Sequence, residues 1–244
     1  MSDSITTYTT PRSSTAYLEG AVHDDVDLRG ANLQGKNLTS FSFVRADLAE
    51  ANLVVAVLTN TNFTSAYLPY ANLTGANLTG GVNLGKATFT SANLHKATLR
   101  YANLLFAKLN YANLHGASLV GATLEGTDLS YANLSHADLE NANVRRAWLD
   151  YANLDSANLT DADLTSANLD SAKLNHADLT GATLRGARLD FAKLNHTNLT
   201  GADLSQADLT GVDLSTAIVT GAIFTGAKLK GSDFADLRSR GAII

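Results

Sequence analysis

Residues 131–209 read YANLS HADLE NANVR RAWLD YANLD SANLT DADLT SANLD SAKLN HADLT GATLR GARLD FAKLN HTNLT GADLS QADL. Every fifth residue is Leu, with Val144 as a single substitute, and two places before it stands Ala, or once Thr197. A helix needs an apolar period of about 3.6 and a strand one of about 2, and a sustained period of five matches neither. Ala and Leu are two apart, so both point to one side where the chain is locally extended. The places between are mostly polar or Gly, and a bend there returns the next Ala and Leu to the same inside. Four bends make a square coil of twenty residues, and coils stack by backbone hydrogen bonding at about 4.8 Å each. One unit cannot bury its apolar side alone, so stacking supplies the core.

Outward from this stretch the repeat begins at Ala16-Tyr17-Leu18 and runs to Leu78. One residue is inserted at Gly80-Gly81, and the register then holds from Leu84 to Phe234. The 44 units make eleven coils, a rod of about 50 Å. Ala fills 35 of the 44 inner wall places and Leu 36 of the central ones, enough for a continuous core. Leu134, Leu154, Leu174, Leu194, Phe43 and Phe63 are expected core residues, and the Asn or Asp before each central residue is expected to be exposed. The expected division is a cap or flexible segment over 1–15, a coil domain over 16–236 and a tail over 237–244. Gly81 is expected as a corner bulge that leaves the stack unbroken.

This A(D/N)LXX pattern resembles the pentapeptide-repeat family. The resemblance implies an all-β fold, a right-handed quadrilateral β-helix. It also implies a non-enzymatic protein. Some members protect DNA gyrase or topoisomerase IV from inhibitors by imitating the charge and shape of duplex DNA, which implies a DNA-binding enzyme such as gyrase as the partner.

The chain has 244 residues, no Cys and a net charge of −5. Without Cys there is neither a disulfide framework nor thiolate chemistry. The start, MSDSITTYTTPRSS, has no basic and apolar leader regions, and no apolar run approaches a membrane span. A cytoplasmic protein, with no membrane partner and no direct nucleic-acid contact, is expected. Charge is segmented: residues 51–124 hold four bases and no acid, and residues 125–213 hold 14 acids against 6 bases. Stacked in order, these become a weakly basic waist and an acidic distal half.

Residues twenty apart form surface columns. Tyr111, Tyr131 and Tyr151 fall in one, flanked by Tyr70, Ser91, Ser171 and Phe191; the column reads as a stabilising aromatic ladder or as a docking strip. Beside it run Asp150, Asp170 and Asp190, whose mutual repulsion calls for a cation, a basic partner, or neutralisation by Arg188, Lys173 and Lys193. Asp138, Asp163, Asp178 and Asp203 are expected nearby. The column of Asn113, Asn133 and Asn153 reads as an amide ladder. His95 and His115 share a column, and His136, His176 and His196 the next, without a third ligand that would complete a metal geometry. Seven threonines, Thr39 to Thr220, share another, interrupted by Arg100, Val120 and Glu140.

No Gly-rich phosphate loop is present, since the glycines recur as corners, and Ser, His and Asp lie on a convex surface with no expected pocket. No catalytic residue and no cofactor is expected. The leading reading is a binding or scaffold rod whose candidate surface is Asp150, Asp170, Asp190, Tyr111, Tyr131 and Tyr151. A metal- or ligand-binding solenoid using the Asp or His columns, and a purely structural module, remain alternatives. Ile218, Ile223, Ile243 and Ile244 form an apolar group near the end, which suggests either a folded-over tail or an end-on homodimer.

Overall fold

The computed structural model describes residues 21–229 and 234–244. The chain is a right-handed quadrilateral β-helix. Parallel bridges join residues twenty apart, as in Asn113 to Asn133, Ser118 to Asp138, Thr123 to Asn143 and Asp128 to Trp148. These four ladders are the first to fourth sides of the rod. Each side ends in a corner named after it: Ser135–His136, Glu140–Asn141, Arg145–Arg146 and Asp150–Tyr151.

One unit shows how the pattern closes. Leu134 N donates to Asn153 O at 2.7 Å, and Asn153 N donates back to Ala132 O at 2.9 Å. His136 N donates to Asp155 O at 3.0 Å, while Ala137 N closes the turn onto Leu134 O at 3.0 Å. The second corner residue has positive φ, 57° at His136, and the first does not; this is the type II arrangement. Gly is expected at such a place, yet 27 non-glycine residues among those described hold it, including Tyr, Phe, Arg and Val55. The stacked backbone over-determines each corner, so the local strain is tolerated.

Ala and Leu alternate inward and fill the interior. Leu134, Leu154, Leu174 and Leu194 line the first side and Phe43 and Phe63 the third, each at most 1% exposed. Phe43 and Phe63 stack at 5.2 Å, and His23 and Phe41 add rings to that end. Where Thr replaces Ala, its hydroxyl is satisfied: Thr197 Oγ1 donates to Leu174 O at 2.7 Å, and Thr61 and Thr127 do the same to Leu38 and Leu104.

Three expectations change. The Asn and Asp before the central residues are mostly half-buried rather than exposed. Their Oδ1 accepts from the backbone N–H two residues on, as Asn133 does from Ser135 at 3.2 Å, and this draws the side chain onto the sheet. Phe234 does not continue the repeat. It is 43% exposed and opens the helix α1 (Phe234–Ser239). The tail then re-enters the coil, and Ile243 bridges to Ile223.

The helix caps the open end. Leu237 is buried over the last coils. Arg240 donates to the carbonyls of Leu214 and Ala217 at 3.0 Å and of Ser215 at 3.3 Å. Ala217 O is the place that in earlier coils accepts from the next coil, as Ala132 O does from Asn153 N, so the guanidinium supplies the donor that is missing there and blunts the edge. The Gly80-Gly81 insertion is a corner bulge, φ 75° and 82°, with bridges intact on both sides of it, Asn77 to Thr98 and Asn62 to Asn83. The expected cap over 1–15 and the first repeats at 16–20 lie outside the described residues.

Candidate interaction surface

The fourth corner carries the sequence-selected ridge. Tyr111, Tyr131 and Tyr151 are 58%, 47% and 50% exposed. Their rings stack at 5.0 and 4.9 Å, with interplanar angles of 11° and 6°. Tyr131, between two phenols and near Asp150, has its hydroxyl pKa raised, first by desolvation and then by these neighbours. Asp150, Asp170 and Asp190 sit beside the rings and are half-buried. Asp150 Oδ1 accepts from Ser130 Oγ at 2.8 Å, and Asp170 Oδ1 from Ser171 Oγ at 3.0 Å. Asp190 Oδ2 lies 3.5 Å from Arg188 Nε. Lys173 and Lys193, the other expected neutralisers, reach no carboxylate within ion-pair distance among the described residues.

The remaining acids are distributed differently from the expectation. Asp138 and Asp178 lie on the second side, and Asp163 and Asp203 on the third, because each five residues advance the chain by a quarter turn. They do not join the ridge. Asp163 and Asp203 are paired with Arg145 and Arg185 at 2.9 and 3.1 Å. The second side is the unneutralised one: between residues 125 and 213 it and its corner carry Asp138, Glu140, Asp161 and Asp178, and no Lys or Arg. The expectation treated these carboxylates as one group because it read charge along the chain and not around the coil.

The amide ladder forms on the first side. Asn113 Nδ2 donates to Asn93 Oδ1 at 3.1 Å, and Asn133 Nδ2 to Asn113 Oδ1 at 3.3 Å. At its corner His95 and His115 stack at 5.3 Å, His115 meets His136 edge-on at 5.3 Å, and His176 and His196 stack at 5.0 Å. Among the described residues no group of three or more His, Asp or Glu is disposed to hold a metal. The threonine hydroxyls turn inward to their own repeat, as Thr180 Oγ1 does to Asp178 Oδ1 at 2.6 Å. Sequence reading missed Trp148, which is 58% exposed on the fourth side and lines a shallow cleft with Arg146, Asn168 and Arg188. The signal was a bulky ring in a column that, apart from Tyr67, carries polar or charged side chains.

Eight copies of the pentapeptide-repeat pattern match the chain, over ranges running from residue 42 to residue 236. The chain belongs to the pentapeptide-repeat family. This family is characteristically non-catalytic, and the chain is a non-enzymatic repeat protein. Among solved structures it is similar to HetL, a pentapeptide repeat protein involved in heterocyst differentiation regulation from the cyanobacterium Nostoc sp. strain PCC 7120. The identity is 32% over 86% of this chain and 87% of that one, with a TM-score of 0.47. It is similar to full-length QnrB1, a plasmid-mediated fluoroquinolone resistance protein, at 17% identity over 90% and 98% of the two chains and a TM-score of 0.37. It is also similar to a pentapeptide repeat protein of the Arabidopsis thaliana thylakoid lumen, at 34% identity over 46% of this chain and 71% of that one, TM-score 0.19. No curated protein sequence matches this pentapeptide-repeat chain. Among the described residues no helix is long and apolar enough to cross a membrane.

Proposed function

We propose that this pentapeptide-repeat rod acts by presenting its acidic distal half to the basic surface of a DNA-binding enzyme of the gyrase and topoisomerase class. The observation that carries the reading is axial charge density. Residues 125–213 hold 14 acids against 6 bases. At about 4.8 Å per coil they span roughly 21 Å, so the net charge is about one per 2.7 Å of axis, against about one per 1.7 Å for duplex DNA. A basic saddle shaped for a duplex meets a narrow rod of the same sign and a comparable density.

Two strips are the contact candidates. The fourth-corner ridge offers Asp150, Asp170 and Asp190 beside Tyr111, Tyr131 and Tyr151, and tyrosine is a preferred interface anchor. The second side offers Asp138, Glu140, Asp161 and Asp178 without a base among them. The function needs the compartment that holds DNA, so the proposed location is the cytoplasm. An end-on homodimer at the apolar group of Ile218, Ile223, Ile243 and Ile244 is part of the proposal although the tail already covers part of that end, and light scattering at tens of micromolar tests it.

The test of the main reading is a supercoiling assay with purified gyrase, with and without a quinolone. The wild-type protein is expected to alter activity at micromolar concentration. Asp150→Asn, Asp170→Asn and Asp190→Asn combined should weaken the effect, and so should neutralising the four acids of the second side. The weakening should shrink as salt is raised. If the wild-type protein leaves supercoiling unchanged in both conditions, the reading fails.

A further inference from the structure

The aromatic ladder of the fourth corner is interrupted twice. Counting along it, the second residue of each fourth corner is Tyr70, Ser91, Tyr111, Tyr131, Tyr151, Ser171 and Phe191 in turn. Within the ladder, neighbouring rings sit one coil apart and stack at 5.0 and 4.9 Å. Across Ser171 the flanking rings, Tyr151 and Phe191, are two coils apart, about 10 Å by the coil rise. That separation leaves room for one planar group in the place of the missing ring, with an aromatic face on either side. Phe191 is 63% exposed, and its ring leans over Gly211, where an added Cβ would come within 2.6 Å of it. The ring is therefore turned toward the coil beyond it and not toward Ser171.

The gap is walled by carboxylates. Asp150, Asp170 and Asp190 occupy the adjoining column in the three coils concerned. Among the described residues Asp150 and Asp170 have no ion-pair partner, and their hydrogen bonds use Oδ1, leaving Oδ2 of each without one. The second gap, at Ser91 between Tyr70 and Tyr111, has the same spacing, but its wall is Pro69, Thr90 and Asn110, which carry no charge. The chain thus contains one anionic gap and one neutral gap of the same kind.

We propose that the Ser171 gap is a binding slot for an arginine side chain of a protein partner. A guanidinium is planar and cationic, stacks on aromatic faces, and donates in a fork to carboxylates; an ammonium does neither the stacking nor the forked donation as well. A guanidinium already lies over a corner ring elsewhere in this protein: at the second corner Arg100 Cζ is 5.6 Å from the centroid of Tyr101. Lys173 and Lys193 on the adjoining first side lower the attraction at long range without occupying the carboxylates. The proposal rests on the reading of a basic partner, but it is tested without one.

The probes are fluorescein-labelled peptides of eight arginines and of eight lysines, with binding to the full chain read by fluorescence anisotropy at moderate salt. The arginine peptide should bind about tenfold more tightly than the lysine peptide, the scale expected when stacking is added to equal charge. Ser171→Tyr extends the ladder into the gap and should abolish that preference while leaving the circular dichroism spectrum and melting midpoint unchanged or improved. Ser91→Tyr should leave binding unchanged. Asp170→Asn should weaken the arginine peptide most. Equal binding of the two peptides, or an undiminished preference in Ser171→Tyr, overturns the slot. A preference shared by both gaps, lost only when Ser91 is also changed, overturns the role of the carboxylates. A failed supercoiling assay with an intact arginine preference would reject the gyrase reading and keep the slot.

Discussion

Gly201→Ala and Gly121→Ala perturb the same corner, the second, and differ in a single neighbour. Gly201 has φ 66° and Gly121 has φ 63°. A left-handed conformation costs an L side chain about 1–2 kcal/mol, and Ala returns about 0.4–1 kcal/mol by restricting the unfolded chain. The balance for Gly201→Ala, whose new Cβ meets nothing within 4 Å, is a loss of roughly 0.5–1 kcal/mol. At Gly121 the Cβ would come to 2.5 and 2.6 Å from Tyr101 Cε1 and Cδ1. The ring is 64% exposed and free to swing, so the backbone holds, but its seat on the coil is lost. That adds about 1 kcal/mol, the worth of an exposed ring contact, for a total of roughly 2 kcal/mol. Urea titration followed by far-ultraviolet circular dichroism gives both values. The double-mutant cycle with Tyr101→Ala isolates the ring contribution, which should appear as a coupling of about 1 kcal/mol. Equal losses at the two glycines with no coupling would refute the placement of Tyr101 over Gly121. No loss at either would refute the strain argument for the corners.

Leu154→Ala removes a fully buried side chain and should cost about 2–5 kcal/mol by urea titration, because neighbouring coils hold the cavity open. Arg240→Ala strips the donors from the carbonyls of Leu214, Ser215 and Ala217. It should cost about 1–3 kcal/mol and raise amide hydrogen exchange in the last coil while leaving residues 131–160 protected. The Asp208 carboxyl is held at about 2, below its ordinary 3.8, first by the hydrogen bond from Lys228 and then by that from Thr210. Its folded value lies below the unfolded one, so the stabilisation is complete above about pH 4 and is lost as pH falls through about 2. The gap in urea midpoint between wild type and Lys228→Met should therefore be small, since Lys228 is exposed, and should close over that range; a gap that stays constant would exclude the pair.

The period of five was enough to place the core. Leu134, Leu154, Leu174 and Leu194 are buried because any other register would put a Leu column in water and break the inter-coil ladder with it. The corners were less legible. Positive φ favours Gly, and the sequence marks Gly121 and Gly201 plainly, but Tyr131, Arg146 and Phe191 hold the same backbone because hydrogen bonds from both neighbouring coils fix it. The C-terminal end was misread at Phe234, which occupies the correct count from Leu229 yet lies in a helix. The corrective signal is Gly241-Ala242-Ile243-Ile244, which repeats Gly221-Ala222-Ile223-Phe224 at a distance of twenty. A chain that returns to register after twenty residues has closed one coil, whatever the intervening segment does.

The surface carries less of its meaning in the period. Every unit supplies three outward places that the fold leaves almost free, so a column's regularity reports stacking and only its interruptions report choice. The tyrosines at 111, 131 and 151 are explained by the energy of ring on ring. Ser171, where a fourth ring would stabilise the same ladder by the same means, is not explained by it. The same holds for charge. Arg145 and Arg185 neutralise Asp163 and Asp203 on the third side, which shows that this scaffold places a base one coil from an acid readily. Among the described residues Asp138, Glu140, Asp161 and Asp178 have none, nor do Asp150 and Asp170. Carboxylates kept unpaired where pairing is structurally easy cost the free rod its own repulsion. A basic partner would remove that cost on binding, and this is the physical ground for proposing the two strips as its contact surface.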